Sequence, residues 1–262
     1  MPELPDLEVF RENIFKRISS KRLSGLEIFN TKKVICAADD LIKELTGQEL
    51  LSIGRVGKEL WFSFSGSRTL AVHLMLSGKT DIVSGQEAVH DIRFKICALE
   101  FEHESVVFSD PDGLCTARYM PQPDGAPDAF DDRFDLSYLL EMARKKPRTN
   151  VKSFLTDQKV VKGVGNAYAD EILWAARISP HSLMGKIPQE ALTTLHHAIG
   201  SVLRSAIASI REISPDIISG EERSFLKVHN RRIKKTETGY PVMVEKIASK
   251  TTYYTDEQVR YL

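Results

Sequence analysis

Cysteine is scarce in this 262-residue chain: Cys36, Cys97 and Cys115 are the only three, and no two form a CxxC pair. So sparse and odd a set excludes a disulfide framework and reads as three small buried side chains. No apolar run is long enough to cross a bilayer, so no membrane partner is expected. The opening residues, MPELPDLEVF, lack the basic stretch and following apolar run of a secretory signal, which makes the cytoplasm the expected compartment. Net charge is missing too, because 36 Lys and Arg balance 36 Asp and Glu. A neutral sum argues against a nucleic-acid partner at first sight, but the distribution matters more. Residues 81–140 are strongly acidic, and the compensating positive charge lies in 141–262. Between 225 and 250, Lys227, Arg231, Arg232, Lys234, Lys235, Lys246 and Lys250 face only Glu237 and Glu245. Taken alone, that stretch is either a solvated face or a nucleic-acid footprint.

What is present has two periodicities. Leu7, Phe10, Ile14 and Ile18 recur at helical spacing, which predicts an amphipathic helix over 6–18 with Asp6 as N-cap. Leu60, Phe62 and Phe64 alternate, as do Leu70, Val72 and Leu74, then Ile92, Phe94 and Ile96. Strands without intervening helices predict an antiparallel sandwich or barrel. The Pro-, Asp- and Gly-rich stretch 121–135 reads as a linker. Helices are then predicted near 136–146, 150–160, 168–177 and 189–211, with a final hairpin around Tyr253 and Tyr254. The expected division is a β-rich domain over 1–120, a linker over 121–135, a helical domain over 136–224 and a terminal module over 225–262.

Chemistry enters at the first residues. Methionine before proline is normally removed, which exposes a secondary amine on Pro2. The reference pKa of an α-amino group, about 7.7–8.0, leaves a useful neutral fraction near physiological pH. Such an amine can attack an anomeric carbon and form an iminium, with Glu3 beside it to move protons. A plain helix lead-in also uses proline and acid. The GVGN turn at 163–166 lacks the strand and third glycine of a dinucleotide loop. Between two helices its glycines permit φ > 0, and free N–H groups at a helix start suit a phosphate. Lys58 reads alone as a hairpin lysine, and His73 as either a packed histidine or a phosphate donor.

These segments together resemble the formamidopyrimidine-DNA glycosylase / endonuclease VIII family. MPELPD is similar to that family's PELPE start, GKELWF (57–62) to its GKYL segment, and HLMLSGK (73–79) to HLGMSGK. HD (90–91) resembles the KHDH step, and DP (110–111) opens the family's DPRRFG turn. Residues 151–180 resemble the helix–two-turn–helix signature nearly throughout, and the matches span about nine-tenths of the chain. The resemblance implies an α+β, multidomain fold: an N-terminal β-sandwich with an N-terminal helix, then a helix–two-turn–helix domain with a finger hairpin. It implies a bifunctional DNA glycosylase/AP lyase of base-excision repair, with Pro2 as nucleophile, Glu3 as proton carrier, and Lys58 and Lys250 assisting strand cleavage. His73, His90, Arg148, Asn166 and Lys250 would hold DNA, with the duplex bent between the domains. Damaged DNA is the implied partner, with no metal or organic cofactor, and the protein is expected to be a monomer.

Departures from the family pattern shape the rest. Family members of the bacterial type end in a zinc finger with two CxxC pairs. Here VHNR resembles VYGR and KTTYY resembles the RxTxYC turn, but the cysteines are gone. Lys235 and Thr238 stand near the first pair and Thr255 near the third cysteine, so a zincless finger is expected. Its hairpin would be held by the packing of Tyr240, Val242, Tyr253 and Tyr254. Lys250 takes the finger arginine's place, keeping the charge but losing the bidentate fork, which bears on δ-elimination. The residues that fill the gap left by an extrahelical base would be Met75, Leu76 and Leu114. The family's arginine–phenylalanine wedge has become Asp112-Gly113-Leu114, which leaves the preferred lesion open. Two other readings stand beside the enzyme: a non-catalytic binder of damaged or structured DNA on the same scaffold, and an RNA- or ribosome-associated protein.

Overall fold

The computed structural model describes residues 1–35, 38–122 and 125–262, without the side chains of residues 38, 39 and 86. Cys36 lies outside the described residues; Cys97 and Cys115 are buried. The chain divides into two compact units, 1–124 with 210–221, and 125–209 with 222–262. The expected linker is therefore not a free connector: from Gly125 it belongs to the second unit. Ala129 and Phe134 are buried there, and the Ala129 N–H donates to the Lys162 carbonyl. The terminal module likewise belongs to that unit.

The first unit begins with α1 (Leu4–Ile18). The helix starts two residues before the expected point because Glu3, not Asp6, is the N-cap. Asp6 sits at N3, and its carboxylate accepts the Glu3 N–H at 2.8 Å in a capping box. Nine strands follow: β1 (Leu23–Ile28), β2 (Val34–Ile35), β3 (Leu50–Val56), β4 (Glu59–Phe64), β5 (Arg68–His73), β6 (Lys79–Ser84), β7 (Lys95–Phe101), β8 (Glu104–Ser109) and β9 (Thr116–Tyr119). They form two sheets, ordered β1-β7-β8-β6 and β2-β9-β5-β4-β3. Phe62 of β4 meets Phe108 of β8 edge-on across the sandwich, with ring centroids 5.7 Å apart. Leu7, Phe10, Ile14 and Ile18 of α1 pack into the same core. Two short helices, α2 (Ala38–Leu45) and α3 (Gln86–Asp91), interrupt the strands.

The alternation at 92–96 does not make a strand until Lys95. Ile92 closes α3, and Phe94 takes a left-handed φ of 58° with its side chain exposed.

The second unit contains α4 (Leu136–Lys145), α5 (Val151–Thr156), α6 (Asn166–Ala175), most of α7 (Gln189–Ile213), and the hairpin β10 (Met243–Ile247)–β11 (Lys250–Tyr254). α5 is shorter than the periodicity suggested. Asp157 ends it, its carbonyl accepting the Val160 and Val161 N–H groups and its carboxylate the Lys159 N–H. Among the described residues no helix is long and apolar enough to cross a membrane.

Candidate active site and DNA interface

In the first unit the chemistry-bearing residues lie at the head of α1, on the β3–β4 turn, on the two loops after β5 and β8, and on α3. Pro2 and Glu3 are buried where α1 enters the core, and Glu3 is only 3% exposed. The Met1 ammonium pairs with the Glu221 carboxylate. While Met1 is attached, the Pro2 nitrogen is an amide. Lys58 occupies the two-residue turn between β3 and β4, where Gly57 supplies a φ of 61°. Positive φ at the first of two hairpin residues is the demand that glycine meets. Arg55 braces this turn: its NH1 donates to the Gly57 carbonyl at 3.0 Å and its Nε to Glu8 of α1 at 2.9 Å. Burial opposes ionisation of Glu8, but hydrogen bonds and charge from Arg11 and Arg55 outweigh it and hold the carboxyl below its ordinary range. One ion pair therefore joins the helix carrying Pro2 to the turn carrying Lys58.

His73 ends β5, half-buried. Its Nδ1 accepts the Met75 N–H at 2.9 Å, so in the neutral ring the proton sits on Nε2, which is left as the donor. Burial pushes its pKa down, helped by Lys58 and Arg118 and opposed by Glu59. Met75 takes a φ of 58°, which aims the following turn. Leu76, 61% exposed, stands at its tip, and Leu114 is exposed on the loop after β8. Asp110 ties the two loops together. Its carboxylate accepts the N–H groups of Asp112, Leu114 and Cys115 and the Ser77 hydroxyl, the last at 2.6 Å. The structure thus brings Leu76 and Leu114 onto two coupled loops. Met75 is partly buried on the same turn. His90 is exposed on α3.

In the second unit Asn166 is the first residue of α6. Its Nδ2 donates to the Thr251 carbonyl at 2.9 Å, while its buried Oδ1 has no partner. The preceding turn folds around Gln158, which bonds the Val164 carbonyl and accepts the Gly163 N–H. Gly163 itself has a φ of 95°. Lys250 opens β11, its Nζ donating to the Thr156 hydroxyl at 2.6 Å. Arg148 is exposed on the loop between α4 and α5. Beneath the hairpin, Lys152 and Asp170 form a fully buried ion pair, Nζ to Oδ1 at 2.7 Å. The other Asp170 oxygen accepts from His229 Nδ1 at 2.6 Å and from the Tyr253 N–H at 2.9 Å. Glu171 accepts the N–H groups of Lys227, Val228 and His229.

The hairpin is held by carboxylates together with aromatic contacts: Tyr253 meets His229 edge-on with ring centroids 4.7 Å apart, and Tyr254 meets His181 likewise at 5.4 Å. Tyr240 is 46% exposed, and Val242, Tyr253 and Tyr254 are only partly buried. In the loop before β10 the Thr236 and Thr238 hydroxyls bond each other at 2.8 Å.

Residues 1–116 match the formamidopyrimidine-DNA glycosylase N-terminal domain, and residues 126–215 match the H2TH domain of the same enzyme. The formamidopyrimidine-DNA glycosylase of Acidithiobacillus ferrooxidans is 31% identical over 277 residues, spanning 97% of this chain and 98% of its own. This chain belongs to the formamidopyrimidine-DNA glycosylase family. The Lactococcus lactis subsp. lactis glycosylase is 28% identical, with 97% of each chain covered. A mutant Lactococcus lactis Fpg solved with Fapy-dG-containing DNA superposes with a TM-score of 0.86 at 26% identity, covering 99% of this chain and 100% of its own. The wild-type Lactococcus lactis enzyme with DNA containing an oxidised pyrimidine gives 0.85 at 25% identity, with 99% and 100% covered. The formamidopyrimidine-DNA glycosylase family is one of DNA-binding enzymes of base-excision repair. Against that family pattern, Glu8, Arg55, Asp110, Gln158 and the Lys152–Asp170 pair are the site residues that motif reading missed. None lies in a spacing that marks it; each is defined by a partner distant in sequence or by backbone groups.

Proposed function

We propose that the protein is a bifunctional DNA glycosylase and AP lyase that acts through the amine of Pro2. The carrying observation is the joint placement of Pro2, Glu3 and Lys58: a buried N-terminal proline and acid on a helix bridged by Glu8–Arg55 to the lysine turn. Removal of Met1 turns the Pro2 nitrogen into a secondary amine. Its lone pair attacks C1′ of the damaged nucleotide, and the base leaves with the glycosidic electron pair and takes up a proton. Ring opening gives an iminium, which acidifies the C2′ proton. Loss of that proton expels the 3′ phosphate, cutting the strand by β-elimination. Glu3 carries protons for these steps. Lys58, the Nε2–H of His73, Asn166 and Lys250 bind phosphate, with Arg148 and His90 adding contacts farther along the DNA. Leu76 and Leu114, on the loops coupled by Asp110, fill the gap in the stack, with Met75 shaping the turn. Lys250 offers a point charge rather than a fork, so δ-elimination is the slower step.

The alternative of a non-catalytic DNA binder draws on one observation, the acid and glycine at Asp112 and Gly113 where the family wedge carries arginine. Borohydride trapping separates the two. Met-processed protein, confirmed by mass spectrometry, is mixed with duplexes bearing an abasic site or an oxidised base. A covalent adduct that disappears in Pro2→Gly is the expected result. No adduct on any substrate, with the proline free, leaves the binder.

A further inference from the structure

The last 38 residues contain no cysteine, yet three segments converge there on one carboxylate. Glu257 accepts Arg177 NH1 at 2.6 Å and Trp174 Nε1 at 3.0 Å, from the turn after α6 and from α6 itself. It accepts the Thr255 hydroxyl at 3.1 Å, just past β11, and the Thr236 hydroxyl at 3.4 Å from the loop before β10. Its side chain is 9% exposed. A carboxylate offers about four lone-pair sites, and bonds to an ionised acceptor are roughly twice as strong as neutral ones. One anion thus gathers the loop, the helix and the strand end as a metal ion would gather thiolates.

We propose that Glu257 is a positioning residue that clamps the base of the β10–β11 hairpin to α6 without a metal and so presents Lys250 to a DNA phosphate. This rests on the phosphate-binding reading of Lys250 given above. The connection is direct along the chain. Thr255 follows β11, and β11 begins at Lys250. Between them the Thr251 carbonyl holds Asn166 and the Tyr253 N–H holds Asp170. With the base released, β11 slides or frays against α6, and Lys250 loses its fixed position beside Thr156.

The test is binding of the full-length protein to a duplex carrying a tetrahydrofuran abasic analogue, by fluorescence anisotropy across salt concentrations. Each phosphate contact contributes about 0.9 to the slope of log K against log salt. Lys250→Ala should lower the slope by about 0.9, which is about tenfold weaker binding at 0.1 M salt relative to 1 M. Glu257→Gln should lower it by a similar amount, and the double variant should lose no more than either single one. EDTA should leave wild-type binding unchanged. An unaltered slope in Glu257→Gln, full additivity in the double variant, or loss of binding in EDTA overturns the proposal. An unaltered slope in Lys250→Ala overturns instead the reading of Lys250 on which it rests. Circular dichroism checks folding, and if Glu257→Gln is unfolded, Thr255→Val, which removes one of the clamp's hydroxyl donors, carries the same comparison.

Discussion

Replacing Lys152 with methionine is the sharpest test of how the second unit is held together. Lys152 is 1% exposed and Asp170 is fully buried, with Nζ and Oδ1 2.7 Å apart. Methionine keeps the stem's volume and deletes the charge, leaving a buried carboxylate with only His229 and the Tyr253 N–H as partners. Breaking a buried pair on one side costs about 3–5 kcal/mol, because the remaining charge stays desolvated. With an m-value of about 2 kcal/mol/M, the urea midpoint of this unit should fall by about 1.5–2.5 M. The chain has two tryptophans, Trp61 in the first unit and Trp174 in the second. In a Trp61→Phe background the fluorescence of Trp174 therefore reports the second unit alone. Adding Asp170→Leu removes the stranded charge and should recover part of the loss. A midpoint shift under about 0.5 M, roughly 1 kcal/mol, would refute the argument, since it would mean that water reaches the pair.

Three further outcomes follow from local geometry. The Ala248-Ser249 turn puts two non-glycine residues at φ 47° and 66°; replacing them with Asn-Gly, the pair that this turn prefers, should stabilise the hairpin by about 1 kcal/mol, read from hydrogen exchange of β10 and β11 amides. A methyl at Gly78 would lie 2.1 Å from the Leu74 carbonyl oxygen; Gly78→Ala should cost more than about 2 kcal/mol in thermal melts and shift the Leu76 turn, whereas an unchanged melting temperature would contradict the geometry. His73, its pKa lowered by burial, should show by nitrogen NMR a neutral ring protonated on Nε2. Because its folded pKa lies below its unfolded one, its contribution to stability is full above about pH 6.5 and is lost as pH falls through the folded value.

The sandwich and the leading helix were legible because their signal is periodic. Leu7, Phe10, Ile14 and Ile18 point one way at helical spacing, and β4 alternates cleanly, while β5 buries Ala71 along with Leu70 and Val72. The same signal misled at 92–96, where Phe94 alternates in sequence but sits at positive φ outside any strand. Pro2, Glu3, Lys58, His73 and Asn166 could be singled out because each sits in a contiguous motif. Arg55 and Glu8 were not, because a pair 47 residues apart carries no local pattern. Asp110 was visible only as the start of a turn; its hold on Ser77 spans 33 residues. The hairpin was located correctly, but its restraint was sought in packing alone. The bonds to Asp170, Glu171 and Glu257 depend on distances that sequence does not carry.

The carboxylate clasp has a consequence for the conditions under which the hairpin can hold. Thiolates bound to zinc are targets for peroxide and electrophiles, which eject the metal. Here the hairpin offers such reagents no thiolate, for no cysteine follows Cys115. Cys115 itself is buried, with its thiol pushed up to about 12, and Cys97 is buried with its thiol pushed up as well. Thiolate, the reactive form, is nearly absent from both. A hairpin held in this way has no thiolate-bound metal to lose in an oxidant burst.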